Sequence, residues 1–92
     1  MTPAVGQVWR HGTAYRVTEI DLSRIGGCVR VELVEPSEAL VGLFHAQAEL
    51  NRRYQTNEPS TWEAVRDEAM ARPLWLELQW FERAATFVRS AA

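Results

Sequence analysis

The strongest pattern in this chain lies in Gly26-Gly-Cys-Val-Arg-Val-Glu-Leu-Val-Glu-Pro36. Positions 29, 31 and 33 hold valine, valine and leucine, whereas positions 28, 30 and 32 hold cysteine, arginine and glutamate. This alternation, together with the β-branched residues, is typical of a strand that buries one face. The glycine pair predicts a break before the strand, and Pro36 predicts its end.

Two further strands are predicted upstream. The segment Val5–Arg10 precedes a turn at His11-Gly12, and Ala14–Ile20 follows the turn. Within the second segment, Tyr15 and Val17 alternate with polar residues, as in a half-buried strand. Residues 21–27 then form a loop. The first third of the chain therefore predicts β structure.

The apolar period changes after Pro36 to that of an α-helix. Ser37 is a suitable N-cap for this helix. The apolar stripe predicted to face the protein consists of Leu40, Leu43, Phe44, Leu50 and Tyr54. The opposite, solvent-facing side is predicted to carry His45, Glu49, Arg52 and Arg53.

A second, shorter helix is predicted after the connection at residues 55–59. Ser60-Thr-Trp-Glu63 has the spacing of a capping box, in which the serine bonds forward and the glutamate bonds back. The helix would place Trp62, Val65 and Ala69 on one face. It should end near Arg72, because the residue before a proline disfavours helical geometry.

The segment from Leu74 to Val88 fits two periods. Leucines at 74, 76 and 78 and tryptophan at 80 alternate with other residues, whereas residues 74, 78, 81, 85 and 88 also form a helical stripe. One helix would leave a second apolar side that a small domain cannot cover. We therefore predict a strand at 74–79, a tight turn at Phe81–Ala85 and a last strand at Thr86–Arg89; one continuous helix would rule out a barrel.

The order of these elements resembles the SH3-like small β-barrel proteins that are frequent in phage and prophage genomes. The resemblance rests on Gly6-Gln-Val-Trp-Arg10, on Tyr15-Arg-Val17, on the glycine-led third strand, and on the final strand, turn and short strand. It implies an α+β fold: a single domain, residues 1–92, built as a partly open barrel of about five strands. The strands would occupy about 5–35 and 73–90, with a two-helix insertion at about 36–72 between strands three and four.

Composition sets the class of protein. The chain has ten arginines and no lysine, but the arginines are dispersed, so coding bias explains them better than a nucleic-acid-binding stripe does. The formal net charge is −2, and the acidic excess lies in residues 36–72. A single cysteine and the lack of a long apolar run or a signal-peptide pattern predict a cytoplasmic protein outside the membrane.

Catalysis is not predicted. His45 and Glu49 have a spacing that two metal ligands could use, but an i,i+4 pair between Glu49 and Arg53 on a solvated face explains them better. Cys28 has the character of a small packed strand residue rather than a nucleophile. No phosphate-binding or hydrolase motif occurs, so we expect no enzyme activity, no metal and no cofactor.

The role predicted from the sequence is non-catalytic binding of another protein, in the manner of a phage-type accessory protein or inhibitor that docks on a host factor. Trp75 would point outward between polar neighbours, which is the composition of an interface hot spot, or it would lie under the inserted helices. The second candidate contact is the basic–aromatic cluster Arg52, Arg53 and Tyr54, whose arginines could instead stabilise a helix C-terminus.

Two alternatives to protein binding stay open. The barrel could bind nucleic acid with aromatic and arginine side chains on one sheet face, and the residues predicted for this are Trp9, Tyr15, Arg16 and Arg30. The other alternative is an enzyme with a site at the junction of the barrel and the insertion. A homodimer through a sheet edge or an apolar face is also compatible with the sequence.

Overall fold

The computed structural model describes residues 1–90 as a five-stranded antiparallel sheet with three helices. The strands are β1 (Val8–His11), β2 (Thr13–Asp21), β3 (Cys28–Glu35), β4 (Leu74–Glu77) and β5 (Thr86–Arg89). The helices are α1 (Glu38–Arg53), α2 (Trp62–Met70) and α3 (Leu78–Ala84). The predicted α+β class is confirmed, with two helices inserted between the third and fourth strands.

The sheet is open. Its strand order is β4-β3-β2-β1-β5, so β5 returns to lie beside β1, and β4 and β5 form the two edges. Within residues 1–90, no pairing joins β4 to β5. The pairing of β2 with β3 shifts register twice, between Ala14 and Tyr15 and between Val17 and Glu19. Such irregularities bend a strand and increase its twist.

One face of the sheet carries the main core. Trp9, Val17, Val29 and Val31 are buried there, because alternate residues of each strand share a face. Phe81 covers them from α3, with its ring centroid 5.7 Å from that of Trp9. The alternation predicted for β3 is therefore confirmed.

The predicted tight turn at residues 81–85 is wrong. These residues belong largely to α3, and β4 ends at Glu77 rather than at residue 79. The helix forms because Leu78, Phe81 and Ala85 then project toward the sheet core from one side. Trp80, which the strand pattern directed inward, is 44% exposed and packs edge-on against His11. The strand period therefore applies to Leu74–Glu77, and the helical period applies to Leu78–Ala84.

Helix α1 begins where predicted but buries a different side. Ser37 is the N-cap, and its hydroxyl accepts a hydrogen bond from the Leu40 amide. The buried residues are Phe44, Ala48 and Asn51. Leu43, Leu50 and Tyr54, which were predicted to face the protein, are 64%, 43% and 70% exposed. The helix is rotated because α2 packs beside the Phe44–Ala48 side.

Helix α2 begins one residue later than the capping box predicts. Thr61 is the N-cap, and its hydroxyl accepts from the Ala64 amide. The Ser60 carbonyl instead accepts a hydrogen bond from the Arg52 guanidinium. The helix ends at Met70, close to the predicted stop, and none of its residues is fully buried.

The molecule is elongated. Its radius of gyration is 15.0 Å, whereas a compact chain of this length would have about 12 Å. The principal extents are 44 × 25 × 22 Å. The α1–α2 pair packs mainly on itself and only lightly on the sheet, so a groove is left between them.

Gly27 precedes β3 in a conformation that favours glycine, with φ +75°. We expect Gly27→Ala to lower the free energy of unfolding by about 1 kcal/mol more than Gly26→Ala does. Both residues have positive φ, but a Cβ on Gly27 would lie 3.1 Å from Leu78 Cδ2 and 3.3 Å from Leu22 Cδ2, whereas Gly26 faces open space. Urea denaturation of both variants measures the difference. Equal losses would contradict the steric argument.

Candidate functional site

The free edge of β4 is the first component of the candidate site. The Leu78 amide donates to the Gly27 carbonyl at 3.1 Å, which continues the β3–β4 pairing. Hydrogen-bonded and non-hydrogen-bonded positions alternate in an antiparallel pair, so Leu74 and Leu76 direct their backbone groups toward β3. The backbone groups of Trp75 and Glu77 consequently point away from the sheet. Within residues 1–90 no strand pairs with that side.

Trp75 is the second component. It lies on the face of β4 opposite to the core, with Arg30 of β3 as its cross-strand partner. The side chain is 43% exposed, and the Arg24 guanidinium carbon lies 6.0 Å from the ring centroid. An arginine at this distance is attracted by the face of the ring. The indole is therefore oriented by the protein but still accessible.

The third component is a groove of about 760 Å³ on the other face of the β4 edge. It runs between the sheet, α1 and α2, and Leu74 and Pro73 form the end next to the β4 edge. The apolar part of its lining consists of Tyr15, Leu33, Leu40, Phe44, Pro59, Val65, Ala69, Pro73 and Leu74. Open, largely apolar grooves of this size are the usual sites of ligand or peptide binding.

Polar groups of the groove are mostly engaged with one another. Asn51 donates from Nδ2 to the Pro59 carbonyl at 2.7 Å and accepts from Gln47 Nε2 at 2.9 Å. The Arg72 guanidinium is paired with the Glu68 carboxylate. Glu58 is an exposed acid at the rim, so the groove has a net negative lining.

The predicted cluster Arg52, Arg53 and Tyr54 is used largely within α1. Arg52 donates to the Glu49 carboxylate at 2.7 Å and to the Ser60 carbonyl, and Arg53 lies 3.7 Å from Glu49. The hydrogen bond from Arg52, followed by the charge of both arginines, holds the pKa of Glu49 below its usual range. These contacts join the end of α1 to the following connection. Tyr54 alone of the three leaves its side chain 70% exposed without such a contact.

The residues of the nucleic-acid alternative do not share a face. Trp9 and Tyr15 are cross-strand partners on the core side, where Trp9 is only 3% exposed and packs against the ring of Phe81. Arg16 and Arg30 lie on the opposite side of the sheet. The prediction of one aromatic and basic surface is therefore wrong, because the strand period separates the two residue types.

His45 and Glu49 have separate partners. The His45 ring stacks on Trp62 of α2, with centroids 4.9 Å apart, and Glu49 binds the two arginines. In the described part of the chain, no three His, Cys, Asp or Glu side chains gather as metal ligands would. Nothing in the geometry of residues 1–90 indicates catalysis.

Sequence reasoning left two positions open for Trp75, outward-facing or under the inserted helices, and the structure has it on the face opposite the core, 43% exposed. The groove on the other face was missed. The available signal was Asn51, a polar residue within the apolar stripe of α1, whose amide now joins α1 to the connection before α2. The sequence carried no signal for the free edge, because the position of β4 at the edge of the sheet depends on pairings between distant strands.

Comparison of the chain with protein-family models, curated proteins and solved structures gives no match. The SH3-like, phage-type relationship stays a prediction. None of the helices in residues 1–90 combines the length and apolarity that crossing a bilayer requires.

Proposed function

We propose that this protein is a non-catalytic binding domain that captures an extended segment of a partner protein along the free edge of β4. The observation that supports it is the meeting of three features on one four-residue strand. These are unpaired backbone groups at the edge, an accessible tryptophan on one face and an apolar groove on the other.

Addition of a strand uses all three features at once. Main-chain hydrogen bonds to Trp75 and Glu77 supply affinity that does not depend on the partner's sequence. Side chains of an added strand point alternately to the two faces. One set would enter the groove beside Leu74, and the other would contact the Trp75 indole.

The chemistry of the groove defines the partner segment. Its walls favour aliphatic or aromatic side chains at every second position. The exposed Glu58 carboxylate at the rim favours a basic residue at the end of the segment, since Arg72 is already paired with Glu68. A phage-type accessory protein could use such a surface to dock on a host factor.

Replacing Glu77 with proline tests the role of the edge. Proline removes the outward N–H, and the backbone of Glu77, with φ −66° and ψ 128°, already has the geometry that proline requires. Glu77→Ala is the matched control, because it removes the same carboxylate and keeps the N–H.

The probe is a peptide selected on the wild-type protein from a random display library. We expect Glu77→Pro and Trp75→Ala each to weaken its binding by about tenfold or more, with Glu77→Ala close to wild type in calorimetric titration. Chemical-shift mapping should place the peptide at β4 and the groove. A peptide that binds both variants with unchanged affinity, or one that maps to β5, would contradict the proposal.

A further inference from the structure

We propose that α1 is also the interface of a symmetric homodimer, in which a second copy of this chain packs antiparallel on the side of α1 that faces away from α2. This side, called the α1 outer face below, consists of Ala39, Gly42, Leu43, Ala46, Leu50 and Tyr54. Every one of them is exposed, and none is charged. Arg53, three residues after Leu50, continues the same line and is the charged end of this face. The interface is distinct from the β4 site of the proposed function.

The spacing on the α1 outer face is that of a helix–helix seam. Ala39, Leu43, Ala46 and Leu50 are separated by four, three and four residues, which keeps them in one line when two helices wind around each other. The leucines at 43 and 50 are 64% and 43% exposed. Exposure of these apolar side chains to water is unfavourable in free energy, and packing of a second helix against them would bury them.

Self-packing fits this face because large and small residues alternate along it. With a two-fold axis near the middle of the seam, Leu43 of each copy lies opposite Ala46 of the other, and Leu50 lies opposite Ala39. Gly42 has open space around its Cα, so the two backbones can approach closely. A parallel pair would instead set leucine on leucine and leave space between the alanines.

Charges at the ends of the helix favour the same orientation. Glu38 lies in the first turn of α1 and Arg53 in the last. Arg53 lies 3.7 Å from Glu49 of its own helix, but its side chain is 61% exposed. In the antiparallel pair it also comes near the first turn of the other copy, where Glu38 is exposed. In a parallel pair, like charges would meet at both ends, and the two helix dipoles would be aligned unfavourably.

The size of the contact predicts a reversible dimer. A 16-residue helix is about 24 Å long. One pair of such helices buries less than the usual 1,200–2,000 Å² or so of a stable interface. We therefore expect association in the micromolar range of chain concentration.

Sedimentation equilibrium of the full chain over a concentration series tests the inference. The wild type should approach twice the chain mass as concentration rises. Ala46→Glu and Ala46→Arg should each weaken association by about tenfold or more, because each places two like charges near the axis. An equimolar mixture of the two variants should associate again, since the introduced charges are then opposite.

Ala71→Glu is the matched control, since it makes the same change at an exposed position at the end of α2. Circular dichroism would establish that each variant keeps its helices. Wild type that stays monomeric up to about millimolar concentration, or an Ala46→Glu variant that dimerises normally, would overturn the inference. Dimerisation lost in Glu77→Pro but kept in Ala46→Glu would also overturn it and place the second copy at β4.

Discussion

Phe81→Ala is expected to lower the free energy of unfolding by about 3–5 kcal/mol. Phe81 is 1% exposed, and it is the largest fully buried side chain of the described residues. It closes the core over Trp9 from a helix of only seven residues, which has no side-chain N-cap bond to stabilise it independently. A domain of this size has a total stability of roughly 5–15 kcal/mol, so the variant should lose a large fraction of its stability.

The measurement is urea denaturation followed by tryptophan fluorescence, for which Trp9 is a core reporter. Trp80→Ala is the matched control on the same helix, because it removes a larger ring that is 44% exposed and touches His11. We expect it to cost about 1 kcal/mol. If the two variants were equally stable, the assignment of α3 as the cover of the sheet would be wrong.

Asn51→Ala is expected to lower the free energy of unfolding by about 1–3 kcal/mol, because it leaves the partly buried Pro59 carbonyl without its donor. The side chain of Asn51 is 6% exposed and joins α1 to the connection that leads into α2. Its removal should loosen α2 more than the sheet. Hydrogen exchange should therefore accelerate in residues 62–70 before it accelerates in β2 and β3.

Asn57→Ala is the control for this change, since Asn57 is an exposed asparagine in the same connection. It should alter stability by no more than about 0.5 kcal/mol. The shape of the groove depends on the position of α2. Asn51→Ala should therefore also weaken the binding of a peptide whose side chains lie beside Leu74. Uniform exchange throughout the chain would show that α2 and the sheet unfold together, contrary to the prediction.

The two proposed interfaces occupy different parts of an elongated molecule. The β4 edge presents backbone groups, and the α1 outer face presents leucines and small residues without charges. Their separation allows each to be disrupted alone, by Glu77→Pro or by Ala46→Glu. A dimer through α1 would carry two β4 edges and so could hold two partner segments, which increases avidity for a multivalent partner.

Local patterns predicted the elements that depend on near neighbours in the chain. Alternation around Val29 and Val31 identified β3 and its buried face, and Ser37 marked the start of α1. Pro73 marked the limit of α2. In each case the cause is local: a strand alternates its faces, a cap bonds the next turn, and proline restricts the residue before it.

The arrangement of the same elements in space depends on contacts between distant residues. The buried side of α1 was misassigned because Leu43 and Phe44 differ by only 100° around the helix, and packing of α2 decides between them. The segment after Pro73 changes from strand to helix at Glu77, because the helix lets Phe81 pack against Trp9. Trp9 lies far away in the chain, so no pattern within the segment could predict this contact. The groove and the free edge arise in the same way, since each is bounded by elements that lie far apart in the chain.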